Sequence, residues 1–220
     1  MLWRYLYNND TNMINYMTSY VVISNIISIF YCNGIARRIS DRVNNGLIAL
    51  DLIKPINIFS MCWQLELGQV FSNFIIKGLP IILVYLFVLI RQESYSNIEL
   101  FILAIIIGHI IFILLYSLLG FFSIVLFDIW PFQRVLDDTI RFLGGGFLPL
   151  SIMPKSLCGV VMYLPFYFLY SFPLDILFNK ISSDMIFKYF LIGFLWIIVL
   201  SIINIIVYKL LIRRIVVQGG

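Results

Sequence analysis

Residues Ile98 to Phe127 read IELFILAIIIGHIIFILLYSLLGFFSIVLF and form the longest apolar stretch of the chain. A helix crosses the hydrocarbon core of a bilayer with about 20 mostly apolar residues. This stretch is longer than that, so it predicts a spanning helix that tilts or protrudes beyond the hydrocarbon.

The composition of the whole chain has the same character. Of the 220 residues, 62% are hydrophobic and 12% are charged, and the mean hydropathy is +1.01. An ordinary soluble domain is about half apolar and about a quarter charged. One soluble core of this size could not bury so much apolar surface. The sequence therefore predicts an all-α integral membrane protein, with one transmembrane domain over residues 1–220.

Five stretches of the chain are predicted to span the membrane. They are residues 13–35, 71–90, 98–127, 133–150 and 189–211. The fourth stretch is apolar on average but carries charges, which have to face protein or water rather than lipid. The region 151–187 is apolar but interrupted by prolines, which predicts short re-entrant helices at the membrane surface.

The basic residues predict the orientation of these spans. The loop 36–66 carries four lysines and arginines, and the C-terminal tail carries Lys209, Arg213 and Arg214. Cytoplasmic loops of membrane proteins carry an excess of lysine and arginine. Both regions are therefore predicted to face the cytoplasm, and the region 151–187 is predicted to form an extracellular cap.

The predicted cytoplasmic loop contains an amphipathic helical pattern. Four apolar residues are spaced to form one stripe on a helix: Ile39, Val43, Leu47 and Leu50. Pro55 disfavours helical backbone at Lys54, so we expect the helix to end there. Such a helix can lie flat on the lipid interface or dock in a groove of a cytoplasmic partner.

Two isolated polar residues lie within predicted spans. Lys77 can reach the headgroups from its position in the second span, or it can line a pathway. His109 is the only histidine of the chain and has no acidic residue within one helical turn. It can donate a hydrogen bond to a neighbouring helix or serve as a proton relay.

The fourth predicted span carries the only adjacent carboxylates, Asp137 and Asp138. Arg134 and Arg141 lie one helical turn to either side, where i, i+3 and i, i+4 pairing neutralises the two acids. The same cluster can instead line a water-filled path. Catalysis by the pair lacks a second acid, a histidine or a metal ligand at a workable spacing.

Several function classes have no support in the sequence. No basic run with interleaved aromatic residues occurs, which argues against nucleic-acid binding. Cys32, Cys62 and Cys158 are far apart and form no cluster for a metal or a disulfide framework. No Gly-x-x-x-x-Gly-Lys phosphate loop occurs, so the chain does not bind ATP through that motif.

Four stretches, taken in order, resemble the permease subunits of the type-2 ABC exporter family, in the branch with a Leu-x-x-Pro loop. They are ISDRVNNGLIALDLIKPIN (39–57), FLGGGFLPLSIMP (142–154), YLPFYFLYSFPLDIL (163–177) and YKLLIRRIVVQGG (208–220). Lys54 stands before the loop proline, where the family commonly has arginine. The family usually has six spans, and MLWRYLYNND (1–10) resembles the end of a first span that this chain otherwise lacks.

The resemblance implies a dimer of permeases, identical or paired with a sister subunit, in the cytoplasmic membrane of a bacterium. A separate ATPase subunit would bind ATP and magnesium, and this chain would bind no cofactor. The resemblance assigns the coupling to that ATPase to one set of loop residues: Asp41, Arg42, Asn45, Gly46, Asp51, Lys54 and Pro55. It assigns the prolines of the broken region to the extracellular cap: Pro149, Pro154, Pro165 and Pro173.

Two other classes remain open on the residues alone. A membrane-embedded enzyme that modifies lipids would show acidic or histidine clusters at fixed spacing, and only the Asp137–Asp138 pair qualifies. A small secondary carrier would show inverted repeats with two matching broken spans. The chain has one such broken region.

Overall fold

A computed structural model describes residues 10–47, 50–51, 58–83, 97–126 and 128–218, with the last side chains described at Leu210. We number the helices α1 Thr11–Ile29, α2 Gly34–Asn44, α3 Ile58–Asn73, α4 Ile98–Phe121, α5 Trp130–Leu143, α6 Lys155–Val161, α7 Ser171–Leu177 and α8 Ser183–Gln218. These residues include no strand, which confirms the all-α prediction.

Among the described residues, four helical stretches are long and apolar enough to cross a membrane. They are Thr11–Asn44, which joins α1 and α2, Ile58–Leu83, Ile98–Phe121 and Ser183–Leu210. The second includes α3 and a π-helical turn over Phe74–Gly78. Apolar side chains cover much of the outer surface of the bundle. The outer surface of the described bundle is therefore suited to contact with lipid rather than water.

Contacts between the long helices fix their relative directions. Phe121 of α4 packs on Tyr208 of α8 with ring centroids 5.5 Å apart, and Ser117 contacts Asn204 nearer the start of both helices. Residue numbers rise together, so α4 and α8 run parallel. The stretches Thr11–Asn44 and Ile58–Leu83 run antiparallel, because Phe30 packs on Phe74 while Arg38 contacts Glu66.

The structure differs from the sequence prediction at two boundaries. The helix predicted at 71–90 begins at Ile58, inside the predicted loop 36–66, because Arg38 pairs with Glu66 and allows α3 to continue. The helix predicted at 133–150 is α5, which has 14 residues and a length of about 21 Å. It is followed by a glycine turn, so the segment is a short helix rather than a straight span.

The glycine turn at 144–146 needs its glycines because of how tightly it packs. Gly145 has φ +80°, and a Cβ there would collide with Ser171 Oγ. The turn docks on α1, where Tyr20 donates to the Gly145 carbonyl oxygen at 2.8 Å and Ser24 donates to that of Gly146 at 2.7 Å. Three consecutive glycines thus fasten the end of α5 to α1 and α7.

The region between α5 and α8 is a set of short helical turns that start at prolines. Pro149 and Pro154 precede the turns Leu150–Ile152 and Lys155–Val161, Pro165 begins the turn Pro165–Phe168, and Pro173 lies in the first turn of α7. Proline is tolerated at these positions because the first N–H groups of a helix have no partner. The turns predicted around the four prolines are present.

These short turns enter the bundle rather than lying on top of it. The Phe168 carbonyl oxygen is 2.6 Å from where a Cβ on Gly108 would lie. Gly108 is about 15 Å along α4 from its first residue. The chain therefore descends about halfway along α4 and returns, as the re-entrant prediction expects.

Candidate coupling turn and polar contacts

Helix α2 has one buried face and one charged face. Ile35, Ala36 and Ile39 are fully buried. On the opposite face Arg37 and Asp41 are exposed, with Arg37 Nε 4.0 Å from Asp41 Oδ2. The helix is amphipathic as predicted, and its apolar face packs on α4 rather than lying free.

The predicted apolar stripe is only half buried, because the helix ends before the stripe does. Ile39 is buried, whereas Leu47 and Leu50 are 45% and 58% exposed. The helix ends at Asn44, and Gly46 follows with φ +68°. A glycine in the left-handed region just after a helix is a common C-terminal cap. The prediction of one helix running to Lys54 is wrong within the described residues.

An ion pair closes the turn that follows α2. The Arg42 guanidinium donates to an Asp51 carboxylate oxygen, and Asp51 is 4% exposed. Asn45, Gly46, Leu47 and Leu50 lie on the outside of this closure and are exposed. We call residues 45–47 and 50–51, the described part of this stretch, the coupling turn. Lys54 and Pro55, which were also predicted to take part, lie outside the described residues.

A second ion pair joins α2 to α3, and the sequence analysis missed it. Arg38 donates to Glu66 Oε2 and to Gln69 Oε1. Glu66 is fully buried, and its other carboxylate oxygen has no hydrogen-bond partner among the described residues. The spacing of Glu66 and Gln69 on one helical face, in an otherwise apolar stretch, is the signal that could have revealed it.

The acidic residues of α5 do not form the predicted pairs. Asp137 accepts hydrogen bonds from Asn33 Nδ2 at 3.0 Å and from the Tyr116 hydroxyl. In the described structure, no ion pair joins either aspartate of α5 to the neighbouring arginines. Asn33, which lies between α1 and α2, and Tyr116 of α4 therefore hold Asp137 through neutral donors.

The remaining charges of α5 face outward. Arg134 lies over the ring of Trp130, 5.8 Å from its centroid, and Arg141 lies over Phe147 at 5.9 Å. Asp138 is exposed beside them. A charged side chain exposed to hydrocarbon is costly. This face therefore needs water or another protein against it.

The two isolated polar residues have different surroundings. Lys77 is exposed on the surface of its helix, and the structure brings it into no cluster with the charges of α5. Both ring nitrogens of His109 are buried and lack a hydrogen-bond partner among the described residues, although the Phe30 backbone lies nearby. The hydrogen bond from His109 to a neighbouring helix stays a prediction.

A bundle of long apolar helices with short proline-led turns packed between them is typical of a multi-pass membrane protein. The family model of ABC-2 family transporter protein matches residues 7–219. The chain belongs to this family and is a type-2 ABC permease, a transport subunit that is not itself an enzyme. No curated protein and no solved structure is significantly similar to it.

Proposed function

We propose that this chain is the permease of an ATP-driven exporter and that the coupling turn is where a separate ATPase subunit binds. The observation that carries the proposal is the exposure of Leu47 and Leu50 at the tip of a turn closed by the Arg42–Asp51 pair. Apolar residues held outward by a buried ion pair add little to the stability of the bundle. Exposed apolar groups mark a surface that contacts lipid or a protein partner, and we assign this surface to the ATPase.

The turn connects directly to the interior of the bundle. It follows α2, whose buried face lies against α4 where Gly120 allows the two backbones to approach. ATP on the partner can shift the permease between two states only by binding one of them better. In this proposal the coupling turn moves together with α2. The partner would therefore bind the turn more tightly in one state of the permease than in the other. ATP and magnesium belong to the partner in this proposal.

A second permease copy, or a sister subunit, would cover the outward face of α5. This face combines exposed Trp130 and Val135 with the charges of Arg134 and Asp138. Two such faces enclosing water would satisfy the charges and bury the apolar side chains. The translocation path would then lie between the α5 faces of the two subunits. Export as the direction, and a bacterial cytoplasmic membrane as the location, rest on the sequence resemblance.

The experiment is affinity purification of the tagged chain from its native membranes. We expect a co-purifying protein with a Gly-x-x-x-x-Gly-Lys phosphate loop, and ATPase activity in the eluate. Leu47→Ser with Leu50→Ser should abolish co-purification without lowering the amount of permease in the membrane. The matched control is Leu157→Ser, which changes an exposed leucine of the cap. Undiminished co-purification with the double variant would contradict the coupling assignment.

Orientation is tested separately with single cysteines in a background that carries Cys32→Ser, Cys62→Ser and Cys158→Ser. A membrane-impermeant maleimide should label Ser182→Cys in intact cells and should label Asn45→Cys only after permeabilisation. Labelling of Asn45→Cys from outside would place the turn on the wrong side for an ATPase.

A further inference from the structure

A large cavity opens between the start of α1, the region Leu150–Met162 and the start of α8. Its volume is about 900 Å³. Sites for small organic molecules enclose roughly 300–1,000 Å³. The cavity lies at the end of the bundle opposite the coupling turn, because it is lined by the first residues of the parallel helices α1 and α8.

Thioethers line this cavity to an unusual degree. Five of the seven methionines of the chain contribute to its wall: Met13, Met17, Met153, Met162 and Met185. They come from α1, the cap and α8, so the fold assembles them from distant parts of the sequence. Methionine is unbranched and polarisable, and it adapts to apolar bodies of different shapes. We call this site the methionine cavity.

The charged residues of the wall give the methionine cavity a positive balance. Lys155 and Lys180 contribute two ammonium groups, and Asp175 is the only carboxylate among the lining residues. Asp175 Oδ2 already accepts a hydrogen bond from the Tyr167 hydroxyl at 3.0 Å. Lys180 Nζ lies 4.5 Å from the centroid of the Tyr16 ring, at the edge of the apolar wall. The two ammonium groups and the thioethers therefore line one and the same cavity.

We propose that the methionine cavity binds an amphiphilic organic anion, with the acidic group at Lys155 and Lys180 and the apolar body against the methionines. A soft metal ion such as Ag(I) also favours thioether ligands. Two ammonium groups oppose a cation, however, and the volume is far larger than one ion requires. The site involves neither the coupling turn nor the face of α5, so binding can be measured without an ATPase and independently of transport.

Cys158 lines the cavity and provides a reporter. In a Cys32→Ser, Cys62→Ser background it is the only thiol of the chain. The purified chain in phosphatidylcholine nanodiscs is reacted with N-ethylmaleimide, with and without dodecanoate. Dodecanoate at a free concentration of ten times its Kd should slow the labelling of Cys158 about tenfold. Dodecan-1-ol, which has the same chain and no charge, should give much weaker protection.

Charge reversal tests the assigned lysines. Lys155→Glu with Lys180→Glu should remove the protection by dodecanoate, whereas Lys188→Glu should retain it. Lys188 is the matched control, because it lies near the same end of the bundle but contacts Tyr163 rather than the cavity. Ser182→Cys, with all three natural cysteines replaced by serine, reports on the same cavity if Cys158 reacts too slowly.

Three results would overturn the proposal. Equal protection by dodecan-1-ol would leave an apolar site without anion recognition. Protection by Ag(I) but not by dodecanoate would identify a soft-metal site. Absence of protection by dodecanoate at both reporter positions would show that the cavity does not bind the proposed class of ligand.

Discussion

Ser117 and Asn204 join the two parallel helices α4 and α8 through a buried hydrogen bond of 2.6 Å from Ser117 Oγ to Asn204 Oδ1. Asn204 Nδ2 also donates to the Leu114 carbonyl oxygen of α4 at 3.0 Å. Both side chains are at most 6% exposed. Apolar packing alone discriminates weakly between helices in lipid, so polar contacts of this kind fix which faces meet.

Asn204→Leu should therefore loosen α8 from α4. Hydrogen bonds between membrane helices contribute about 0.6–2 kcal/mol, and we expect a loss of this size in unfolding free energy. Thermal unfolding in detergent measures it. Ile205→Leu, at the exposed neighbouring position, is the control. Equal stability of Asn204→Leu and the control would show that the contact has no net value.

The Arg42–Asp51 pair should hold the coupling turn in shape. A fully buried charge that loses its partner costs about 3–5 kcal/mol, and Arg42 is partly exposed, so the lower end applies. Asp51→Lys should reduce capture of the ATPase without reducing membrane insertion. The exchange Arg42→Asp with Asp51→Arg should restore part of the capture. If the exchanged pair behaves like Asp51→Lys, the charge contact is not what shapes the turn.

Gly145→Ala should be strongly destabilising. Its Cβ would collide with Ser171 Oγ, and φ is +80°. A non-glycine residue in the left-handed region costs about 1–2 kcal/mol before any clash. Gly159→Ala is the matched control, since nothing lies within 4 Å of that Cβ, and replacing a helical glycine gains up to about 1 kcal/mol. Opposite shifts in Tm are expected, and a tolerated Gly145→Ala would contradict the described turn.

The stability of the protein should depend on pH through Asp175. Burial raises the pKa of its carboxyl to about 7, against the opposing effects of the Tyr167 hydrogen bond and the charge of Lys180. The folded state then binds a proton that the unfolded chain has released above about pH 4. Stability is therefore highest below about pH 4 and is lost as the pH rises through about 7.

We expect Tm to fall between about pH 4 and about pH 7 in the natural sequence, and to fall less in Asp175→Asn. Asp184→Asn, at an exposed position in the first turn of α8, should behave like the natural sequence. An identical pH dependence in Asp175→Asn would assign the effect to another group.

Local patterns in the sequence predict much of the fold. The apolar length of 98–127 is a property of one segment, and so are the prolines that break 151–187, so both could be recognised without knowing their neighbours. The end of α2 could also be predicted from local sequence, because a run such as Asn44-Asn45-Gly46 commonly ends a helix. The apolar spacing continues past Gly46 to Leu50, so periodicity alone predicts a longer helix than the structure has.

Contacts between distant segments could not be predicted in the same way. Arg38 finds Glu66 only because α2 and α3 fold back on each other. Asp137 takes Asn33 and Tyr116 as partners in preference to arginines one turn away, because helix packing decides which face points inward. The methionine cavity likewise exists only in three dimensions.

The absence of a side chain at Gly120 has a mechanical result. A Cβ there would lie 2.8 Å from Ile39 Cβ and 3.0 Å from the Ala36 carbonyl oxygen. Because α2 and α4 pack without a gap here, they cannot rotate against one another. A displacement of α2 along its axis therefore moves α4 with it. Because Asn204 of α8 is bonded to Ser117 of α4, one helical turn from Gly120, a displacement of the loop would pass through α4 to α8.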